Sequence, residues 1–266
     1  MVSTRFAPAF AKSRRLNKFK IYFMKTIFLL LGISLSGFSQ TPINKVIPVQ
    51  RGQNIDIHFD YPELVRVSTW DKNEISIQGT ISINAGENDD AFELITSTVG
   101  NTISVKNEIK NMKNLPHRIT ITDGAQKIVF RNKEELKKYQ QEHGKTNYSH
   151  MSYGIDMDII LEIKVPRNTE TSVESVYGMV EVKEFSGPLS VKATYGGVDA
   201  ALSETAIGEL TAETNHGEIY TNLDAKFSGE PSRQGDFHTY VSAKPGKGPH
   251  YSFDSKFGNV YLRKAN

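Results

Sequence analysis

Hydrophobic and polar residues alternate along most of the chain after residue 43, which is the pattern of β-strands with one buried face. The clearest early runs are residues 54–59 and 74–83, where nearly every second side chain is apolar. β-branched residues are frequent in these runs, and no helical period occurs. Because such residues fit a pleated, half-buried surface, the sequence predicts a β-rich N-terminal region over residues 40–109.

Residues 110–152 interrupt this alternation. Asn132 and Glu135 have the spacing of a capping box, in which the Asn132 side chain accepts a hydrogen bond from the first turn of a helix. Gly144 then stands where a helix would end. The sequence predicts an insertion over residues 110–152 that carries a short helix near residues 132–143 and lies on the surface of a β protein.

A glycine-centred repeat extends from Val173 to Leu262. Each unit has a small residue three positions before its glycine, an aromatic residue or His one position before it, and an apolar residue two positions after it. The unit glycines are Gly178, Gly196, Gly217, Gly235 (in a degenerate copy) and Gly258, and between them lies a second set, Gly187, Gly208, Gly229 and Gly248. Fixed periods of this size are typical of solenoids and other arrays of small units.

The repeat predicts two short strands per unit. Stacked in chain order, the units would form a parallel β-solenoid or β-helix-like array of about 20 residues per rung over residues 153–266. The expected core column is Val180, Val198, Ile219, Phe237 and Val260. In this arrangement Val198 and Ile219 are neighbours, and the corner glycines adopt positive φ. An antiparallel meander with the same strand spacing is the alternative.

A column of mostly aromatic residues stands beside the predicted corners. Its members are Tyr177, Tyr195, His216, Gln234 and Phe257. Two interpretations remain open from the sequence. The column is either a stacking ladder that only supports the fold, or a binding platform for a sugar or a peptide.

The N-terminus has the pattern of a secretion signal. A basic start at Met24-Lys25 is followed by an apolar run over residues 27–35 and then by small residues, which predicts cleavage after Ser39. The run is shorter than the roughly 20 residues that span a bilayer. We therefore expect residues 1–39 to be an N-terminal extension and signal peptide. The mature chain would be exported to the periplasm, the cell surface or the extracellular space, with no stable membrane span.

The charge of the mature chain excludes some partners. The whole chain has a net charge of +2, but residues 1–25 contain seven basic residues and no acid, so the rest is mildly acidic at −5. An acidic chain lacks the basic footprint of a nucleic-acid-binding protein. The chain has no cysteine, so disulfides and thiolate metal sites are excluded.

The search for catalytic chemistry yields only weak patterns. No pair of histidines has the spacing of a zinc protease, and no nucleophile elbow or phosphate loop is present. His143 and His150, and separately Asp156 and Asp158, are close in sequence but fit a polar loop and a solvated strand face. Acidic residues lie near successive corners without forming one strict column: Glu181, Asp199, Glu218 and Asp236. The sequence predicts no catalytic residues, no metal site and no cofactor.

Two regions resemble the bacterial "putative adhesin" families of secreted β-strand-repeat proteins. The residues that carry the resemblance are Val67–Ile77, Leu161–Thr169 and the glycine-centred units. The resemblance implies a repetitive β fold outside the cytoplasm and offers no catalytic signature. The insertion over residues 110–152 departs from the family pattern.

These observations favour a secreted or envelope protein that is not an enzyme. The expected role is that of an adhesin-like binding or structural module whose partner is an envelope protein or a glycan. The alternatives are an envelope scaffold or signalling partner that docks through the insertion, and a β-helix enzyme that degrades polysaccharide.

Overall fold

The computed structural model describes residues 40–144, 146–229 and 237–265. The described chain is mostly β, with one α-helix, so the predicted all-β class is confirmed. The predicted signal peptide lies outside the described residues, as do Gln234, Gly235 and Asp236.

Nineteen strands and one α-helix make up the described part of the chain. The strands are β1 (Thr41–Pro48), β2 (Asn54–Phe59), β3 (Leu64–Trp70), β4 (Glu74–Ile83), β5 (Phe92–Val99), β6 (Thr102–Ile109), β7 (Arg118–Asp123), β8 (Gln126–Phe130), β9 (His150–Gly154), β10 (Met157–Pro166), β11 (Thr171–Ser175), β12 (Met179–Val182), β13 (Leu189–Ala193), β14 (Val198–Leu202), β15 (Glu209–Thr214), β16 (Ile219–Thr221), β17 (Thr239–Ala243), β18 (His250–Ser255) and β19 (Val260–Lys264). The helix, α1, spans Lys133–His143.

Two large mixed sheets share one hydrophobic core. Sheet 1 has the strand order β1-β4-β10-β3-β12-β14-β19-β16, and sheet 2 has the order β17-β15-β18-β13-β11-β2-β6-β5. Inward side chains of both sheets form a single cluster of buried residues. Most pairs are parallel, including the outer pair β16/β19, whereas β1/β4, β4/β10, β15/β17 and β5/β6 are antiparallel. The sheets are mixed and not closed, and no solenoid is shown.

The units of the glycine repeat do not stack in chain order. Val198 pairs with Val260, and Val260 pairs on its other side with Ile219. The predicted contact between Val198 and Ile219 is therefore wrong, because β19 lies between their strands. In sheet 2, β18 likewise lies between β13 and β15.

The size of its side chains gives a physical reason why the C-terminal unit, β18 and β19, lies between two earlier units. Tyr251 and Phe253 of β18 are among the largest fully buried side chains in the described chain. β15 offers only Leu210 and Ala212 at the equivalent core positions. The hydrophobic free energy grows with the apolar area removed from water, so the bulkiest unit gains most from an inner position with a neighbour on both sides.

Among the described corner glycines only Gly187 has the expected positive φ, of 131°, and the others are required by close packing. A Cβ atom on Gly196 would lie 2.1 Å from the carbonyl oxygen of Gly178, and one on Gly258 would lie 2.1 Å from that of Gly196. None of these three glycines has positive φ. Each glycine thus packs directly against the backbone of the neighbouring unit, and any side chain would force the units apart.

Buried hydroxyl groups explain the small residue three positions before Gly178, Gly217 and Gly258, whereas the unit of Gly196 has Ala193 there. Ser175, Thr214 and Ser255 are fully buried. Ser255 Oγ accepts a hydrogen bond from the N–H of Gly258 at 3.0 Å and donates one to the carbonyl oxygen of Gly196 at 2.9 Å. A buried backbone group without a partner is costly, so the Ser255 hydroxyl stabilises the corner by satisfying two such groups, and Ser175 and Thr214 each satisfy one.

The region predicted as an insertion contains the helix and also a small sheet. The Asn132 side chain accepts from the N–H of Glu135 at 2.9 Å, and Gly144 ends the helix with a φ of 61°. Strands β7, β8 and β9 form sheet 3, whose core with the helix is separate from the main one. The sequence does not predict these strands because their apolar runs are only a few residues long.

Candidate functional site

Six rings form one continuous row, which we call the aromatic ladder; five are stacked, and the sixth is tilted by 41° against its neighbour. In spatial order its members are Tyr61, Tyr177, Tyr195, Phe257, His216 and Phe237. Successive ring centroids are 5.8, 5.1, 5.1, 5.1 and 5.3 Å apart. The structure therefore brings together the four described members of the predicted aromatic column, and the inserted C-terminal unit places Phe257 between Tyr195 and His216.

Two members of the ladder were not predicted. Tyr61 comes from the N-terminal region, where no glycine follows the aromatic residue at the expected distance. Phe237 was expected in the core column, but it is 69% exposed and leans against His216. The sequence signal for Tyr61 was its position just after β2, which is equivalent to that of Tyr177 after β11.

The backbone holds the rings at the spacing of adjacent strands. Five of the rings lie at corners where a strand of sheet 2 ends and the chain turns towards sheet 1, whereas Phe237 lies just before β17. The N–H of Tyr195 donates to the carbonyl oxygen of Val176 at 2.8 Å, and that of Phe257 donates to Thr194 at 3.0 Å. Since parallel strands are about 4.8 Å apart, equivalent corner residues repeat at nearly the ring spacing.

The ring faces are only partly covered by their neighbours. The planes from Tyr61 to His216 are within 4–12° of parallel. Carbon atoms in contact are about 3.5–4.0 Å apart, so near-parallel rings at a centroid distance of 5.1 Å touch only when they are offset sideways. Tyr177 and Tyr195 accordingly remain 57% and 55% exposed.

Charged groups of both signs lie beside the ladder. The Lys256 ammonium group is 5.5 Å from the centre of the Phe257 ring, which is within cation–π range. At the other end, burial raises the pKa of the Tyr61 hydroxyl, and the nearby Asp60 and Tyr177 raise it further. Tyr61 therefore keeps its proton at neutral pH and is a hydrogen-bond donor.

Two acidic residues near the corners are engaged in ion pairs, Glu218 accepts a hydrogen bond from the Tyr220 hydroxyl, and Asp236 lies outside the described residues. Glu181 lies 3.0 Å from the Arg66 guanidinium, and Asp199 lies 2.8 Å from that of Arg263. Asp156, expected on a solvated face, is buried and pairs with Lys127 at 2.8 Å. Within residues 40–144, 146–229 and 237–265, no group of three His, Asp or Glu side chains could hold a metal ion.

Across the same described ranges, no helix combines the length and apolar character needed to cross a membrane.

Comparisons with known proteins give little further guidance. No protein-family model matches the chain, and no curated protein matches it. A "putative cell adhesion protein" from Clostridium sporogenes has a similar structure with a TM-score of 0.44 and 10% identity, covering 85% of this chain and all of that one. A "putative adhesin" from Bacteroides fragilis has a TM-score of 0.19 and 11% identity, covering 84% of this chain and 98% of that one. Both similarities are too distant to support an argument.

Proposed function

We propose that this protein is an exported, non-catalytic, adhesin-like module that binds an extended polysaccharide along the aromatic ladder. The observation that carries the proposal is a row of six adjoining rings, five of them stacked, most of which are exposed to solvent. Export is proposed from the secretion-signal pattern before residue 40.

The exposure of the ladder supports the proposal that its rings bind a ligand as well as stabilising the fold. Rings that served only to stabilise the corners would gain most from burial, because burial removes apolar area from water. Here Tyr177, Tyr195 and Phe237 keep more than half of their surface exposed, and they lie in one contiguous row. Contiguous exposed apolar surface commonly marks a binding site.

The spacing of the rings favours a polysaccharide over a peptide. The ladder repeats every 5.1–5.8 Å in a direction that crosses the strands. An extended peptide places equivalent side chains about 6.6 Å apart, so it would lose register with the rings after a few steps. A sugar unit in an extended chain advances by nearly the ladder spacing, and its C–H face and hydroxyl rim suit tyrosine, which has an apolar body and a polar tip.

The proposal is tested by replacing the two central exposed tyrosines together. We expect Tyr177→Ala/Tyr195→Ala to weaken binding of neutral gluco-, manno- or xylo-hexasaccharides at least tenfold, which is about 1.4 kcal/mol. The measurement is calorimetric titration of the mature chain with each hexasaccharide. Tyr220→Ala is the matched control, since Tyr220 is also exposed and stacks on Tyr261 at 5.2 Å, outside the ladder.

The remaining outcomes distinguish the alternatives. Equal binding by the ladder variant and the control would contradict the proposal. If no hexasaccharide binds but an envelope protein does, the scaffold alternative is favoured. Release of new reducing ends during the titration would contradict the non-catalytic assignment and favour a polysaccharide-degrading enzyme.

A further inference from the structure

A second polar surface lies on the outer face of sheet 2, away from the ladder. It is a cleft of about 610 Å³ whose lining includes Asn54, Asp56, Glu170, Ser190 and Ser252. These residues come from β2, β13, β18 and the turn before β11. The cleft therefore crosses several parallel strands.

The floor of the cleft is a row of short polar side chains in register. Asp56 is paired with Ser172, Ser172 with Ser190, and Ser190 with Ser252. Thr211 continues the row on β15. Neighbouring members are about 4.8 Å apart because they stand on adjacent parallel strands.

Longer side chains border this row on both sides. Residues two positions away on a strand point to the same face, so His58, Glu174 and Lys192 form one wall. His58 lies 3.2 Å from Glu174, which joins two strands of that wall. On the opposite side, Asn54 and His250 line the cleft. Short residues between two taller rows make a groove that a chain-like ligand could follow.

The chemistry of the groove is that of hydroxyl and carboxylate groups. The hydroxyls of Ser172, Ser190 and Ser252 have no hydrogen-bond partner within the described part of the protein. The carboxylates of Asp56 and Glu170 line the cleft. Lys192 in the wall beside it is flanked in register by two further carboxylates, Glu174 and Asp254, so acidic groups outnumber it there. Charge complementarity therefore favours a ligand with hydroxyl groups and positive charge.

We propose that this groove binds a linear polysaccharide of amino sugars, with hydroxyls of the serine row contacting the sugar units and Asp56 and Glu170 pairing with ammonium groups. The groove and the ladder are different surfaces, so this inference stands whether or not the ladder binds sugar.

The test uses the mature chain and three short probes at physiological salt. The probes are a glucosamine hexamer, an N-acetylglucosamine hexamer and a galacturonate hexamer, titrated calorimetrically. We expect the glucosamine hexamer to bind most tightly and the galacturonate hexamer most weakly. Ser190→Tyr fills the groove without changing charge and should weaken glucosamine binding at least tenfold, whereas Ser68→Tyr on the other sheet should leave it unchanged.

Charge variants test the second half of the proposal. Asp56→Asn/Glu170→Gln should remove most of the preference for glucosamine over N-acetylglucosamine, while the control Glu93→Gln/Glu162→Gln should keep it. Equal binding by wild type and Ser190→Tyr would overturn the proposal, as would equal loss in the two charge pairs. Loss of binding in Tyr177→Ala/Tyr195→Ala with retention in Ser190→Tyr would assign the ligand to the ladder and also overturn the groove.

Discussion

Replacing Gly196 with alanine should lower the free energy of unfolding by about 3 kcal/mol or more, near or above the upper end of the range for overpacked sites. The new Cβ would lie 2.1 Å from the carbonyl oxygen and 2.4 Å from the carbonyl carbon of Gly178. Both atoms belong to the backbone of a neighbouring unit, so no side chain can rotate away. The two units would have to separate, which would also disturb the stacking of Tyr177 on Tyr195.

Gly154→Ala is the matched control for this substitution. No heavy atom lies within 4 Å of the position that its Cβ would occupy, and Gly154 lacks a positive φ. Its replacement should change stability by less than about 1 kcal/mol and can stabilise by restricting the unfolded chain. Urea titration followed by circular dichroism measures both variants. Equal destabilisation of the two would show that the glycine column is not a site of close packing.

Removal of residues 250–266 should abolish cooperative folding of the main sheets. This segment supplies four buried side chains, Tyr251, Phe253, Val260 and Leu262. At about 1.5–3 kcal/mol for each side chain, their burial contributes about 6–12 kcal/mol. That amount is comparable to the whole stability of a typical domain, about 5–15 kcal/mol. The deletion also leaves β15 and β16 without their parallel partners.

An internal deletion of greater length should be better tolerated. Strands β15, β16 and β17 lie at one end of the two sheets, and Gly208 lies beside Gly248, with its N–H 3.0 Å from the carbonyl oxygen of Pro249. Excision of residues 209–247 with a two-glycine bridge should therefore leave a folded protein of reduced stability. Thermal unfolding compares the two deletions. Stacking in chain order predicts the reverse result, a tolerated C-terminal deletion and a damaging internal one.

Much of the local structure could be predicted from the sequence. The alternation around Ile55, Ile57 and Phe59 corresponds to β2, in which these three side chains are buried. The capping box at Asn132 corresponds to the start of α1. These features depend on neighbouring residues, so the local pattern contains the information that specifies them.

The spatial order of the repeat units could not be predicted in the same way. Every unit offers the same corner glycine, small residue and apolar residue, so any unit can pair with any other. The order depends on how the total buried volume is distributed, in which Tyr251 and Phe253 favour an inner place for the last unit. For the same reason the sequence identified Tyr177, Tyr195, His216 and Phe257 as a column but not the order of their stacking.

The order of the rings in the ladder and of the strands across the groove depends on the C-terminal unit lying between the units of Gly196 and Gly217. Engineered cysteine pairs test this order directly, since the protein has no cysteine of its own. Ser190 is in register with Ser252 on the adjacent strand, whereas Thr211 is one strand further away. Disulfides require Cα atoms within about 7 Å, and strands are about 4.8 Å apart, so only adjacent strands can be bridged. Under mild oxidation, Ser190→Cys/Ser252→Cys should form an intramolecular disulfide, and Ser190→Cys/Thr211→Cys should not. Cross-linking of the second pair and not the first would contradict the inserted order, and with it the ring order of the ladder and the strand order of the groove.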